Sequence, residues 1–572
     1  MKRCDFLTKD ASRSNNDNSL SGAQMLIQAL LLENVDTIFG YPGGAVLPIY
    51  DVLYDSNQIR HILMRHEQAV VHAADGYARV TGRTGVALVT SGPGATNAIT
   101  GIATAYMDSV PMVIITGQVP IELIGRDSFQ EVNIYSMTMD VTKHNYLVMD
   151  VEDLPRIIKE AFYIARTGRP GPVLIDIPKN IMNAYAPFDY TKLVQIRSYN
   201  VHPHVDESII QRIAQAINRA HKPIIICGGG IISSGASPLL MKLVEETQIP
   251  IVSTLMGVGA FPSRNSLHLG MLGMHGTFAA NKAVHQADLL IVIGVRFSDR
   301  VMGNMKAFAP NSYKIHIDID AAELNKNLIV DLPVHGDIQV VLSHLLQQHI
   351  KCESAAWVSE TSQWQKKVPR YEKSNSALQP QEVIQLIDKM TDGNAIVTTD
   401  VGQHQIWTAH HYAFKYPRSL LTSGGLGTMG YGFPAAIGAS FAAPDRQIIC
   451  ISGDGSFQMN LQELMTAVDY QLPVKVAIMN NGYLGMVRQW QQLFFHRRYS
   501  SVKLSSPDYV LFAQSYGAAG FRARTIKEAR QIINQALSTP GPVIMEFNVV
   551  EEENVYPIVP PGGSNNEMII PE

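Results

Sequence analysis

At 572 residues the chain exceeds what one hydrophobic core usually organises, so length favours three or four domains over a single fold. Hydrophobic residues make up 46%, charged residues 17%, and the formal charge is −4; this balance suits a globular chain and leaves no electrostatic footprint for nucleic acid or an anionic membrane. Cys4, Cys227, Cys352 and Cys450 are far apart and form neither a CxxC pair nor a disulfide framework, which favours a reducing, cytoplasmic setting.

In chain order, residues 1–19 carry Lys2, Arg3 and a polar run without the apolar core of a signal peptide, and are expected to be a disordered tail. Beyond them, short β-branched runs alternate with helical patterns: 85–90, 112–116, 173–177, 223–226, 289–293, 395–398, 447–451 and 474–479. Their continuous apolar character predicts strands buried on both faces, in doubly wound parallel sheets of an α/β chain. Composition shifts over 186–206 and 352–379 divide the chain into three α/β domains, 20–186, 205–351 and 380–549, expected to share one alternating plan. A polar linker with short helical pieces is expected over 352–379, and a proline- and glycine-rich segment follows over 550–572. Residues 424–444 carry no charge over a length that could span a bilayer, but their glycines and Pro434 predict a loop feeding a buried helix, with Pro434 near its first turn.

The strongest chemical signal is Gly453-Asp454-Gly455-Ser456, directly after the run 447–451, with Asn480-Asn481 closing the next run. Asp454 and Asn481 stand 27 positions apart, the length of one strand-helix-strand unit, which brings a carboxylate and an amide oxygen to adjacent carboxyl ends of parallel strands. Both are hard oxygen ligands suited to Mg2+, which takes few protein ligands and leaves positions for phosphate oxygens and water. Gly455 permits close backbone approach, and Ser456 can open a helix whose free N–H groups favour an anion, so a diphosphate fits there. Alone, Gly-Asp-Gly-Ser is an ordinary capped turn; the preceding strand and the Asn-Asn spacing reverse that reading.

These motifs resemble the thiamine-diphosphate enzyme superfamily, whose signature begins with Gly-Asp-Gly and ends at Asn-Asn. The resemblance implies Asp454, Asn481 and the backbone oxygen of Tyr483 as Mg2+ ligands. It extends the thiamine diphosphate site to Gly453, Gly455, Ser456, Leu484, Gly485 and Met486, to Val401-Gly402-Gln403-His404, and to Gly427 and Met429, with Met429 supporting the bent cofactor between its rings. Arg65-His66-Glu67-Gln68 matches the family's His-Glu-Gln motif, which makes Glu67 the carboxyl that activates the aminopyrimidine. Glu67 lies in the first domain and Asp454 in the third, and the resemblance implies that they come from different subunits of a homodimer at minimum, with a homotetramer left open.

Over nearly the whole chain the likeness sharpens to the large catalytic subunits of acetohydroxyacid synthase (acetolactate synthase). Phe39-Gly40-Tyr41-Pro42-Gly43-Gly44-Ala45, Thr90-Ser91-Gly92-Pro93-Gly94-Ala95-Thr96-Asn97 and Thr116-Gly117-Gln118-Val119-Pro120 carry it in the first domain. They imply Pro42 at the cofactor and Gly44 near the developing oxyanion. Phe129-Gln130-Glu131 places Phe129 and Gln130 beside the reacting carbon, and Lys179 lines the same channel. In the middle domain Gly228-Gly229-Gly230, Leu272-Gly273-Met274-His275, Gly294-Val295-Arg296, Asp299-Arg300 and Asp318-Ile319 resemble FAD-binding segments, joined by Thr254, Leu255, Asp337 and by Arg169 of the first domain. Among these middle-domain segments GxGxxG is not present in its usual form.

The implied activity is carboligation: pyruvate is decarboxylated on thiamine diphosphate and the two-carbon unit is joined to a second pyruvate or to 2-ketobutyrate. The products, 2-acetolactate and 2-aceto-2-hydroxybutyrate, belong to branched-chain amino-acid biosynthesis, and FAD is largely structural. Arg300 would pair with the acceptor carboxylate and Trp490 would favour the ethyl group of 2-ketobutyrate, with Met486 beside them. A pyruvate oxidase of the same architecture is the alternative. A decarboxylase is expected to carry its histidines in the first domain, where His410-His411 does not lie, and a noncatalytic sensor would be expected to lack Glu67 or a metal ligand. A small regulatory subunit is implied as partner, and residues 555–563 resemble the segment that closes over the family's site.

Overall fold

The computed structural model describes residues 19–201, 203–367 and 377–571. The expected tail, Ser19 apart, and residues 368–376 of the expected linker lie outside the described residues.

Each stretch of alternating apolar runs and helices closes into one six-stranded, fully parallel sheet covered by helices. In the first unit, β1 (Ser19–Ser21) and β8 (Tyr185–Pro187) form an antiparallel clasp tying its beginning to its end. Between them β2 (Thr37–Tyr41), β3 (Arg60–Leu63), β4 (Gly85–Val89), β5 (Met112–Gln118), β6 (His144–Leu147) and β7 (Pro172–Pro178) lie in the order β3-β2-β4-β5-β7-β6. The second sheet has β9 (Pro223–Cys227), β10 (Ile251–Ser253), β11 (His268–Met271), β12 (Leu289–Ile293), β13 (Tyr313–Asp318) and β14 (Leu332–His335) in the order β11-β10-β9-β12-β13-β14. The third has β15 (Ile396–Thr399), β16 (Leu420–Thr422), β17 (Ile448–Gly453), β18 (Val474–Asn480), β19 (Ala519–Ala523) and β20 (Val543–Asn548) in the order β16-β15-β17-β18-β20-β19.

The runs read from the sequence coincide with β4, β5, β7, β9, β12, β15, β17 and β18, all central strands whose residues are buried on both faces. The doubly wound α/β architecture and its alternating plan are therefore as expected, but the strand order is not common to all three units. The outer two share one strand order, whereas the middle sheet has the order of the dinucleotide-binding fold, with its reversal between β9 and β12. In the outer sheets the reversal falls between β2 and β4 and between β15 and β17. A crevice opens at such a reversal beyond the carboxyl ends of the strands, which sets where ligands can enter.

The first and third units share a core. The helix Glu67–Thr81 lies against the helix Gly432–Ala442, and Val70, Ala73 and Tyr77 join Tyr431, Phe433 and Ile437 in one buried cluster. Residues 424–444 thus form a loop and a buried helix with Pro434 in its first turn, and no helix among the described residues is long and apolar enough to cross a membrane. Part of the polar stretch 352–379 is the helix Ala355–Gln365, whose Trp357 and Trp364 rings meet edge-on at 5.5 Å in the middle unit's core. The C-terminal segment is packed rather than solvated: Val555, Ile558 and Val559 are fully buried, and Val559 N donates to Met274 O at 2.8 Å.

Candidate active site

In the third unit, β17 and β18 run side by side to their carboxyl ends, with Gly453 opposite Met479, so Asp454 and Asn481 leave the sheet as neighbours. Asp454 opens a one-turn helix with its side chain inside the protein; Ser506 Oγ donates to it at 3.1 Å, and the backbone N–H groups of Gly455 and Asn481 face it. Burial outweighs these bonds and pushes its pKa up to about 6, the signature of a carboxylate short of positive charge. Asn481 Oδ1 accepts from Tyr483 N at 3.1 Å, and Leu484 N and Leu504 N pin this loop to Val502 O and Gly482 O at 2.8 Å each. Among the described residues no three acidic, histidine or cysteine side chains converge. One carboxylate, one amide and a backbone carbonyl make a sparse oxygen set, of the kind that suits Mg2+ sharing its shell with phosphate and water.

Across the reversal, the loop after β15 brings Gln403 and His404 to the same place. Gln403 Oε1 and His404 Nε2 are buried without a hydrogen-bond partner, and burial pushes the imidazole down to about 4. A Cβ at Gly485 would stand 2.2 Å from Gln403 Oε1, and one at Gly453 3.1 Å from His404 Nδ1, so side chains there would displace the Gln403 amide and press on the His404 ring. An unpartnered imidazole nitrogen that can donate, an amide oxygen that can accept from a metal-bound water, and an undercompensated carboxylate together fit a diphosphate held through a hydrated metal ion.

Val401, Gly402, Gly427, Met429 and Met486 line one end of a cavity of about 1240 Å³ that continues along the middle unit. Every middle-unit residue singled out from the sequence for a dinucleotide lines it, except Gly228 and Gly273, and Arg169 joins from the first unit. Those two glycines act from behind. A Cβ at Gly228 would stand 2.1 Å from Gly294 O, and one at Gly273, whose φ is +122°, 2.2 Å from Arg300 O, so they let backbones approach rather than face the cleft. Arg169 Nε donates to Ser109 Oγ at 2.9 Å while its guanidinium pairs with Glu323 at 2.8 Å. Arg296 is half-buried, and desolvation together with the neighbouring Arg169 lowers its pKa, which leaves room for an anion. Where this cavity meets the third unit, the Arg300 guanidinium lies 5.9 Å from the centroid of the Trp490 ring and 3.3 Å from Met274 Sδ.

A second group stands apart. Glu67 opens its helix half-buried, with Asn97 Nδ2 donating to Oε2 at 3.0 Å. The surrounding loops interlock: a Cβ at Gly43 or Gly94 would strike Thr90, and one at Gly92 would strike Gln130, itself at φ +58°. Space above Gly44 is open, and Phe129 is 88% exposed. Pro42, Gly44, Glu67, Phe129, Gln130 and Lys179 all lie outside the large cavity. His410, by contrast, is a packing residue whose Nε2 lies 2.7 Å from His275 O. Sequence reasoning quoted Asn97 at the end of the motif 90–97 without pairing it with Glu67, and missed Ser109 as partner of Arg169 and Phe495 on the cavity wall, which no motif distinguishes.

Residues 20–137 match the thiamine pyrophosphate enzyme N-terminal TPP binding domain, 210–345 the central domain and 400–547 the C-terminal TPP binding domain. The chain is 47% identical over 562 residues to an acetolactate synthase large subunit of Haemophilus influenzae, covering 96% of this chain and 98% of that one. It is 45% identical over 564 residues to the acetolactate synthase isozyme 3 large subunit of Escherichia coli, covering 96% and 98%. To a probable acetolactate synthase large subunit of Methanocaldococcus jannaschii it is 46% identical over 567 residues, covering 96% and 95%.

Proposed function

This chain belongs to the acetolactate synthase large subunits within the thiamine pyrophosphate enzyme family, and from that membership we propose that it joins pyruvate, after decarboxylation, to a second 2-keto acid. The acceptor is pyruvate or 2-ketobutyrate, and the products feed branched-chain amino-acid biosynthesis in the cytoplasm. The observation that carries this reading is that Val401, Gly402, Gly427, Met429 and Met486, from the loops that also carry Gln403 and His404 and follow Asn481, line the same cavity as the Arg300–Trp490 pair. An oxidase is not favoured, since the relatives are synthases.

Thiamine diphosphate supplies the carbanion chemistry when bound, and the protein's part is to hold, orient and protonate. Asp454, Asn481 and the Tyr483 carbonyl would hold Mg2+ against the diphosphate, with His404 Nε2 placed to donate to a remaining phosphate oxygen and Gln403 Oε1 to accept from a water of the metal's shell. Gly427 and Met429 would support the rings, and Glu67, oriented by Asn97, would exchange a proton with the aminopyrimidine. Gly44 leaves a backbone N–H free for a developing oxyanion, with Gln130, Phe129 and Lys179 around it. The Arg300 guanidinium would take the acceptor carboxylate while Trp490 packs on its alkyl group. The cavity of the middle unit, with its dinucleotide strand order and the undercompensated Arg296, would hold FAD as a structural group. We also propose domain limits at 20–186, 205–351 and 380–549, a homodimer in which Glu67 of one copy meets Asp454 of the other, and a small regulatory subunit as partner.

Purified protein given pyruvate, Mg2+ and thiamine diphosphate is expected to form acetolactate without oxygen uptake, and to form 2-aceto-2-hydroxybutyrate when 2-ketobutyrate is added. Oxygen consumption with acetyl phosphate would establish an oxidase instead, and acetaldehyde alone a decarboxylase.

A further inference from the structure

The loop 423–430 of the third unit carries Gly427 and Met429 into the cavity, yet it contains Gly424, Gly425, Gly427 and Gly430, the residue type that loses most backbone freedom on ordering. Within its own unit, Ser423 Oγ accepts from Gly427 N at 3.1 Å and Thr428 N at 3.0 Å, and Asn460 Nδ2 donates to Gly430 O at 2.6 Å. Gln405 Nε2 of the same unit donates to Ser423 O at 3.2 Å, and further grips come from the first unit, from the helix Pro93–Met107 and its C-cap. Asp108 Oδ2 accepts from Gly424 N at 3.1 Å and Oδ1 from Gly425 N at 2.7 Å, while Thr104 Oγ1 lies 2.7 Å from Thr428 Oγ1. Thr104 and Asp108 are one helical turn apart on one face, and both side chains are fully buried. The Asp108 charge is balanced by Arg79 at 3.0 Å, and Arg79 also pairs with Asp75, which accepts the Tyr431 hydroxyl at 2.6 Å just past the loop.

We infer that Thr104 and Asp108 are positioning residues for thiamine diphosphate, acting through the loop 423–430 across a boundary between units. The loop is clamped at 424–425 and at 428, so the backbone on either side of Thr428 is presented at a fixed height to the cofactor. The inference rests on the assignment of Gly427 and Met429 to that cofactor.

Its test is the dissociation constant of thiamine diphosphate, titrated calorimetrically into the full-length protein with Mg2+ present. Thr104→Val keeps the volume and removes the bond to Thr428 together with the hydroxyl's bond to Thr100 O at 2.9 Å within its own helix, and should raise the constant about three- to tenfold. Thr104→Ser, which keeps the hydroxyl, should restore it, and kcat at saturating cofactor should stay within about twofold because the chemistry lies elsewhere. Asp108→Asn should raise the constant further; if it fails to fold, the Thr104 pair decides. Met429→Ala tests the underlying assignment separately. A weakened Met429→Ala beside an unchanged Thr104→Val, even one with a lowered thermal midpoint, would overturn the inference alone, and an unchanged Met429→Ala would overturn the assignment and the inference together.

Discussion

Glu463 is a buried carboxylate of the third unit that serves the first. Its oxygens accept Arg65 N at 3.0 and 3.2 Å, two positions before Glu67, and Thr466 Oγ1 donates to it at 2.9 Å. Burial outweighs these bonds and pushes its pKa from the ordinary 4.5 up to about 7. A folded-state pKa above the unfolded one means that the folded form favours the proton, so this contribution is complete below pH 4.5 and is lost as pH rises through 7. Glu463→Gln removes that titration. The wild type should therefore lose stability relative to Glu463→Gln between pH 5 and 8, by at most about 3 kcal/mol. Thermal unfolding of both proteins at the two pH values checks this, and parallel pH profiles would contradict it. No pattern announces Glu463, Thr104 or Asp108 in the sequence, because they are common residue types whose partners lie hundreds of positions away. Asp454 and Asn481 are legible because the distance between them is set by one strand-helix-strand unit, which leaves a spacing in the chain itself.

The crossing of the helices Glu67–Thr81 and Gly432–Ala442 depends on two glycines. A Cβ at Gly438 would stand 1.8 Å from Ala73 O, and one at Gly76 2.3 Å from Ala435 O, both backbone atoms that cannot turn aside. Gly438→Ala must therefore push the helices apart through the core shared by the two units. A cost of about 3 kcal/mol is expected from overpacking, with a fall in thermal midpoint of at least 5 °C. Circular dichroism melting would show it, and a midpoint unchanged from the wild type would mean that the helices slide freely. The sequence marks 424–444 as loop and buried helix but not the helix it packs against, since apolar composition encodes burial and not the identity of the partner. The long central strands are legible for the same reason. β10 and β16, three residues each, are too short to show periodicity, and edge strand β3 contains Arg60 and His61. Nor does alternation of strands and helices reveal that the middle sheet runs β11-β10-β9-β12-β13-β14, because order depends on the side to which each crossover returns.

At the scale of the molecule, the groups expected to meet at one cofactor are divided. Met429 and Met486 face the large cavity, whereas Glu67, Gly44 and Phe129 lie outside it, with Phe129 88% exposed and nothing above Gly44. An aromatic side chain so exposed beside an uncovered loop suits the proposed homodimer, in which a second copy would cover it and a twofold axis would make the same contact twice. In that dimer each site would take Glu67 from one chain and Asp454 from the other. Glu67→Gln and Asp454→Ala should each be nearly inactive alone, the first for want of the proton-exchanging carboxyl and the second for want of a metal ligand. Co-expressed in equal amounts, they should recover about a quarter of wild-type activity, because half of the randomly formed dimers are mixed and each mixed dimer holds one intact site of two. If Glu67 and Asp454 acted within a single chain, no mixed dimer could contain an intact site. Activity no greater than that of the separate variants, in a preparation where mass spectrometry confirms mixed dimers, would place the site in one chain.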